Sequence, residues 1–177
     1  MIKYAISDSS FFNLNSAKEY FSKLKADYFL YRDKNNPNYK KDAKNYLELA
    51  NSFGFKGVIH QDYKLAKELN CNFVHLSSNQ INDIAFAKEL NLFTIISTHS
   101  IKEIKKAKEL GADAVTFSPI FTTPNKGEPK GIESLKEAVE CCDIKVIALG
   151  GIVSQNHIKQ IASTKAWGFA SIRYFKP

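Results

Sequence analysis

Short apolar runs alternate with amphipathic segments along the whole chain. The runs at 56–60, 92–97 and 144–149 are rich in valine, isoleucine and phenylalanine, which is typical of strands that are covered on both faces. The segments between such runs have helical spacing, and the one that ends at Leu110 is followed by Gly111, a residue that commonly terminates helices. This alternation predicts parallel strands joined by helices.

The pattern predicts a single domain, residues 1–177, with an α/β fold. A strand-plus-helix repeat of about 20 residues favours a compact (β/α)8 TIM barrel whose last helix is short or missing. The alternative is an open doubly wound sheet, but the first turn, Ser7-Asp8-Ser9-Ser10, lacks the glycines usual there. The predicted strands are 2–7, 27–31, 56–60, 72–76, 92–97, 114–117, 144–149 and 168–172. The predicted helices cover about 16–25 and 40–53, end near 70, 90 and 110, and resume at 132–141 and about 155–163.

Two details at the chain's ends are also predicted. Asn15 or Ser16 should cap the first helix, with Glu19 placed to complete a capping box. The apolar tail 174–177 should leave exposed surface beside the barrel, and a homodimer would cover it.

Composition narrows the classes of protein. The net charge is +7, but the excess lysine is spread over helix faces, which predicts a solvated surface and no nucleic-acid partner. No apolar run is long enough to cross a membrane, and none resembles a signal peptide. Three cysteines, two of them the adjacent pair Cys141 and Cys142, argue against a disulfide framework. We therefore expect a cytoplasmic protein.

Polar and small residues follow the predicted strands, where a barrel builds its substrate site. A Gly150-Gly151 turn and the end of the last strand predict a phosphate cradle of backbone N–H groups. Arginine occurs only twice, at Arg32 and Arg173, both near strand ends, where bidentate anion contact or a salt bridge would explain it. The other candidate binding residues are Lys34, Thr122, Thr123, Lys126, Ser171 and Ile172.

Three of the four histidines, His60, His75 and His99, follow strands and are candidate acid–base catalysts. Their neighbours lack the carboxylates of a zinc site, so we predict no metal ligand among them. The fourth, His157, lies on a predicted helix and is expected to be a surface residue.

The motifs together resemble the thiamine phosphate synthase superfamily, which includes TenI-type thiazole tautomerases. The resemblance runs from Asp27 to Ile172. It is carried in order by Arg32-Asp33-Lys34, Val74-His75-Leu76, Ser97-Thr98-His99, Gly111-Ala112-Asp113, Pro119-Ile120-Phe121-Thr122-Thr123-Pro124-Asn125-Lys126 and Ala148-Leu149-Gly150-Gly151-Ile152.

The resemblance implies that Arg32 and Lys34 face a diphosphate, and that Thr123, Lys126, Gly151 and Ser171 lie near a thiazole phosphate. It also exposes departures. Gln61 and Gln80 stand where the family's synthases carry the carboxylates that hold Mg²⁺, and Mg²⁺ prefers carboxylates. Leu30 replaces a glutamine before Arg32, and Pro119 replaces the histidine that TenI-type proteins carry after the sixth strand.

We therefore expect a protein of thiamine biosynthesis that binds a small phosphorylated heterocycle. The favoured role is a TenI-like proton transfer that needs no cofactor, with His60, which replaces an asparagine, as the most interesting base. The alternatives are a Mg²⁺-dependent thiamine-phosphate synthase, a non-catalytic phosphate-binding or regulatory barrel, and another phosphate-binding barrel enzyme, since a fold does not fix a function.

Overall fold

A computed structural model describes residues 1–177, and its eight strands close into one parallel barrel in sequence order. Each strand pairs with the next, and the eighth pairs with the first through registers such as Tyr4 with Ala170. This confirms the (β/α)8 architecture. The strands are β1 (Ile2–Ile6), β2 (Tyr28–Tyr31), β3 (Lys56–His60), β4 (Phe73–Leu76), β5 (Phe93–Thr98), β6 (Ala114–Phe117), β7 (Lys145–Leu149) and β8 (Gly168–Ser171).

Seven α-helices cover the outside of the barrel, and none has the length and apolar character that a bilayer crossing requires. Short 3₁₀ turns stand at Leu14–Ser16, Ser78–Gln80 and Arg173–Phe175, the last in place of an eighth helix. The helices are α1 (Ala17–Lys23), α2 (Tyr39–Ser52), α3 (Tyr63–Glu68), α4 (Asp83–Glu89), α5 (Ile101–Glu109), α6 (Gly131–Glu140) and α7 (Gln155–Ala162).

The barrel interior is filled with side chains. Alternate residues of each strand point inward and form a buried cluster that includes Tyr4, Leu30, Val58 and Ile147. The opposite residues pack under the helices in a larger cluster. This alternation explains why the strands read as continuous apolar runs, and it leaves only the residues beyond the strand ends free to form a site.

Aromatic rings close the amino-terminal end of the barrel. Tyr28 meets Phe73 edge to face at 5.5 Å and Trp167 at 5.8 Å, and Phe93 lies 6.2 Å from Trp167. Lys56 and Lys145 extend over the rings of Tyr28 and Trp167 respectively. Two positive charges therefore cover this group of aromatic rings, which we call the aromatic plug. The barrel is therefore open only where the strands end.

The prediction for the start of the first helix is wrong, and the prediction for the tail holds only in part. A 3₁₀ turn capped by Asn13 precedes α1, Ser16 makes no capping hydrogen bond, and Glu19 instead pairs with Lys23 at 2.7 Å. In the tail, Phe175 is buried against Phe169, with parallel rings 5.8 Å apart. The tail thus covers much of the apolar surface that we expected it to expose. The dimer stays a prediction.

Candidate functional site at the barrel mouth

The carboxyl ends of the strands bring the predicted site residues to one mouth. Arg32 and Lys34 follow β2, His60 ends β3, His75 lies near the end of β4, and His99 follows β5. The longest loop lies between β6 and α6, and it carries two threonines and one lysine of the predicted site. The ends of β7 and β8 supply the two glycines, a serine and an isoleucine. Those residues are Thr122, Thr123, Lys126, Gly150, Gly151, Ser171 and Ile172.

Arg32 is half-buried, and its guanidinium has no hydrogen-bond or ion-pair partner within the protein. Its backbone is fixed, because the N–H of Arg32 donates to Ser7 Oγ at 2.7 Å and that hydroxyl donates back to the Arg32 carbonyl. The side chain, in contrast, takes part in no hydrogen bond and in none of the five ion pairs. An arginine with five donors and a fixed backbone is suited to bind an anion from the mouth.

His60 stands beside this positive charge. Burial, together with the charges of Arg32 and Lys34, lowers the pKa of His60 to about 4. The ring is therefore neutral at neutral pH. Its backbone N–H donates to the hydroxyl of Tyr39 at 3.1 Å, and its ring nitrogens have no hydrogen-bond partner in the protein. An unengaged neutral imidazole next to an anion site can accept a proton.

His75 occupies a different environment under the mouth. It is 4% exposed, and burial, followed by the charges of His60 and Arg32, lowers its pKa to about 3. The hydroxyl of Tyr4 lies 2.9 Å from Nδ1, and Nε2 lies 3.1 Å from Ser97 Oγ. Both ring nitrogens are thus engaged, so His75 can orient Ser97 but has no free nitrogen for a ligand.

His99 is exposed at the rim. Its Nδ1 lies 3.1 Å from the carbonyl oxygen of Ser118, so Nδ1–H is the donor in that contact. The three candidate histidines therefore differ in role. His60 faces the mouth unengaged, His75 lies beneath it, and His99 borders it.

The Gly150-Gly151 turn has the conformation of an anion cradle. Both residues have positive φ, 98° and 71°. A Cβ on Gly151 would lie 2.5 Å from the carbonyl carbon and oxygen of Phe121, so only glycine fits there. The backbone N–H groups of Gly151, Ile152 and Ile172 donate to no protein acceptor. Gly151 and Ile152 precede α7, whose dipole favours an anion at this end, and Ile172 follows β8.

The hydroxyl of Ser171 has a structural task in this cradle. It donates to the carbonyl of Ile152 at 2.8 Å and accepts the N–H of Tyr174 at 3.1 Å. It thereby ties the turn after β7 to the turn after β8. A binding role for Ser171 would then run through its backbone or through the geometry that it maintains.

A cleft of about 370 Å³ lies beside the cradle, and it joins Thr122, Gly151 and Arg173. Arg173, like Arg32, takes part in no ion pair. His157 also lines the cleft. Its ring stacks on Phe121 with centroids 4.1 Å apart, and its Nδ1 accepts the N–H of Val153 at 3.3 Å.

His157 therefore lies on a helix as predicted, but it is half-buried and its ring packs against the β6–α6 loop, which the sequence prediction of a surface residue did not include. Its place in the first turn of the helix after Gly150-Gly151 was the signal that could have revealed it. Lys126 and Thr123 lie on the same loop, where the N–H of Lys126 donates to the Thr123 carbonyl at 3.2 Å.

The residues at the implied metal position do not fit Mg²⁺. The amide oxygen of Gln80 accepts from the N–H and the hydroxyl of Ser77, each at 3.1 Å. Its NH₂ group donates to the Gln61 carbonyl and to Asp83, each at 3.0 Å. Asp62 caps α3 by accepting the N–H of Leu65. Because the Gln80 amide is fully used and neither Gln61 nor Gln80 is a carboxylate, these two positions do not offer Mg²⁺ the ligand type that it prefers.

A larger groove, about 550 Å³, lies outside the barrel between α1 and the tail. Its lining mixes aromatic rings of Phe11, Tyr20 and Tyr174 with lysines, and Tyr20 donates to the Phe175 carbonyl. Its lining includes none of the predicted site residues. The mouth is therefore the better candidate for chemistry, although the groove is larger.

Comparison with solved structures supports the fold. A thiamine phosphate pyrophosphorylase from Pyrococcus furiosus superposes with a TM-score of 0.85 at 24% identity, over 99% of this chain and 90% of that one. N-acetylmannosamine-6-phosphate 2-epimerase from Clostridium perfringens also superposes, with a TM-score of 0.76 at 13% identity, over 99% and 87%. At such identities the likeness concerns the barrel alone.

Sequence comparison is more specific. A protein of Aquifex aeolicus with the provisional name thiamine-phosphate synthase 2 is 33% identical over 137 residues, 75% of this chain and 73% of that protein. The thiamine-phosphate synthase of Lactococcus lactis is 25% identical over 136 residues, 73% of this chain but 62% of its own length. The family model described as thiamine monophosphate synthase matches residues 3–175. With that match over nearly the whole barrel, the chain belongs to the thiamine monophosphate synthase family of thiamine biosynthesis.

Proposed function

We propose that this protein binds a thiazole phosphate across the mouth and moves a proton on it without a metal ion. The observation that carries the proposal is the state of the two arginines. All five ion pairs of the protein use lysine, while Arg32 and Arg173, which follow the two strands that flank β1, have none. Two unpaired guanidiniums favour a ligand with two anionic ends.

A thiazole carboxylate phosphate has two such ends. Its phosphate would lie at the Gly150-Gly151 turn, where free N–H groups and Arg173 supply donors. Its carboxylate would lie against Arg32 and Lys34. This placement puts the ring between the two anion sites, beside His60.

His60 is then the base. It is neutral at neutral pH, and its ring nitrogens are unengaged. It would take a proton from one ring position and return it to another, so that no bond to phosphorus is made or broken. Because Arg32 and Lys34 contribute to the low pKa of His60, an anion bound to them weakens that effect and makes the imidazole a stronger base.

The second candidate is a thiamine-phosphate synthase, which joins the thiazole phosphate to a hydroxymethylpyrimidine diphosphate and releases diphosphate. It is favoured by the names of the relatives and by Arg32 and Lys34, which would face the diphosphate. It is disfavoured by the Gln80 amide, because each of its donors and acceptors already has a protein partner.

One pair of assays separates the candidates. The isomerisation of a thiazole carboxylate phosphate tautomer is followed in EDTA, and thiamine phosphate formation is followed with both substrates and Mg²⁺. We expect turnover in the first assay, its loss in His60→Ala, and unchanged turnover in Lys106→Ala, a distant surface control. Metal-dependent product in the second assay would establish the synthase instead, and saturable binding without turnover in either would indicate a non-catalytic barrel.

A further inference from the structure

Cys141 and Cys142 form a pair of thiols outside the barrel mouth. They follow α6 directly, and their Sγ atoms lie 3.5 Å apart. Both residues are half-buried, and Cys141 Sγ also donates to the carbonyl of Ala138 at 3.2 Å. No contact links them to the mouth, so the site chemistry described above does not use them.

We propose that Cys141 and Cys142 form a dithiol site that captures monosubstituted trivalent arsenicals through both sulfur atoms. The class of ligand follows from the distance between the sulfurs, the number of donors available and the protonation of the thiols.

The sulfur separation favours a bridging atom over a disulfide. A disulfide needs its sulfurs about 2.05 Å apart and its Cα atoms at roughly 4.4–6.8 Å, whereas adjacent Cα atoms lie only about 3.8 Å apart. A soft atom bonded to each sulfur at about 2.3 Å would span the observed 3.5 Å with an angle of about 100° at that atom. This is a pyramidal angle, and the thiols reach it without a change in the backbone.

The number of ligands selects the kind of atom. Zinc takes four protein ligands in structural sites, and no cluster of three or more histidine, cysteine or acidic side chains exists here. A linear two-coordinate Cu(I) would hold the sulfurs about 4.6 Å apart at the same bond length. A monosubstituted arsenical needs only two sulfurs, since its third bond is to its own carbon substituent.

The reaction balances without an oxidant. A hydrated arsenical carries one carbon and two hydroxyl groups on arsenic. Each As–O bond breaks as an As–S bond forms, each thiol proton leaves with the departing hydroxide, and two waters are released. Arsenic remains trivalent and both sulfurs keep their oxidation state.

The protonation state of the thiols is compatible with this exchange. Burial, with the contact to Cys142, raises the pKa of Cys141 to about 11, so its thiol is neutral at neutral pH. Because the leaving hydroxide takes up the proton, the bond to Cys141 forms from its neutral thiol.

Cys71 provides an internal control. It is 7% exposed, and its Sγ lies 3.2 Å from the carbonyl oxygens of both Gly57 and Phe73, either of which can accept its one proton. It has no second thiol beside it. A ligand that needs two sulfurs should therefore not bind to Cys71, and Cys71→Ser serves as the matched control variant.

The test uses the full chain, phenylarsine oxide as the probe and intact-protein mass spectrometry. We expect one phenylarsenic group per chain that resists an excess of a monothiol and is removed by ethanedithiol. Cys141→Ser and Cys142→Ser should each weaken binding at least about 100-fold, since the second bond is intramolecular, while Cys71→Ser binds as the wild type does. Circular dichroism verifies that each variant is folded.

Three results would overturn the proposal. The first is an adduct that the monothiol removes, because it would be held by a single sulfur. The second is equal retention in a folded Cys141→Ser or Cys142→Ser variant. The third is loss of the adduct in Cys71→Ser, which would assign the reaction to the buried thiol.

Discussion

Replacing His75 with glutamine should make the protein less sensitive to acid. Burial lowers the pKa of His75 from 6.5 to about 3, so between these values the unfolded chain binds a proton that the folded chain does not. The contribution of neutral His75 to the free energy of unfolding is therefore complete above pH 6.5 and decreases as the pH drops. The loss is about 1.4 kcal/mol per pH unit, or roughly 5 kcal/mol over the whole window. Glutamine carries no titrating group, so the substitution removes the contribution of His75 to the pH dependence of the free energy of unfolding.

The measurement is urea unfolding followed by circular dichroism at several values between pH 4.5 and 6.5. His75→Gln should be less stable than the wild type at pH 7, because the buried contacts with Tyr4 and Ser97 are altered. As the pH falls, its free energy of unfolding should also decrease less steeply than that of the wild type, by about 1.4 kcal/mol per pH unit, which is the contribution of one proton. Ser97→Ala is the matched control, since it removes a partner of Nε2 but keeps the imidazole. Equal slopes in His75→Gln and the wild type would refute the reasoning.

Three further predictions concern the phosphate side of the mouth. Gly151→Ala places a methyl group 2.5 Å from the Phe121 carbonyl, so calorimetry should show at least about tenfold weaker thiazole phosphate binding; unchanged affinity would contradict the packed turn. His157→Ala removes the stack on Phe121 and should weaken the same binding, whereas His157→Phe restores it; failure of that rescue would exclude stacking as the cause. Arg173→Gln should lower the affinity for thiazole phosphate about 10–100-fold, which corresponds to the loss of one charged hydrogen bond. The affinity for the dephosphorylated thiazole alcohol should stay unchanged. Equal losses for both ligands would show that Arg173 does not contact the phosphate.

Local patterns were sufficient to predict the barrel. Strands read as apolar runs because both of their faces are buried, and Gly54 and Gly111 end α2 and α5 with φ values of 77° and 90°. The prediction failed at the start of α1, where Ser16 and Glu19 have the spacing of a capping box. There, the 3₁₀ turn capped by Asn13 sets the chain direction, and an exposed ion pair engages the glutamate.

The site was predictable as a set of positions but not as a set of roles. The sequence places His60 and His75 at neighbouring strand ends, and the structure pairs them in register. Only the fold reveals that the hydroxyl of Tyr4, 71 residues earlier, meets the His75 ring. The stack of His157 on Phe121 likewise depends on a contact between α7 and the β6–α6 loop. Such long-range partners decide whether a histidine is available for catalysis.

The aromatic plug at the amino-terminal end imposes an order on ligand exchange. Since Tyr28, Phe73, Phe93 and Trp167 close the floor, every molecule must enter and leave by the same opening. A group bound deepest must arrive before any group bound above it and must depart after it. A two-substrate reaction in which one substrate lies beneath the other would therefore follow an ordered sequence, and the bound outer ligand would trap the inner one.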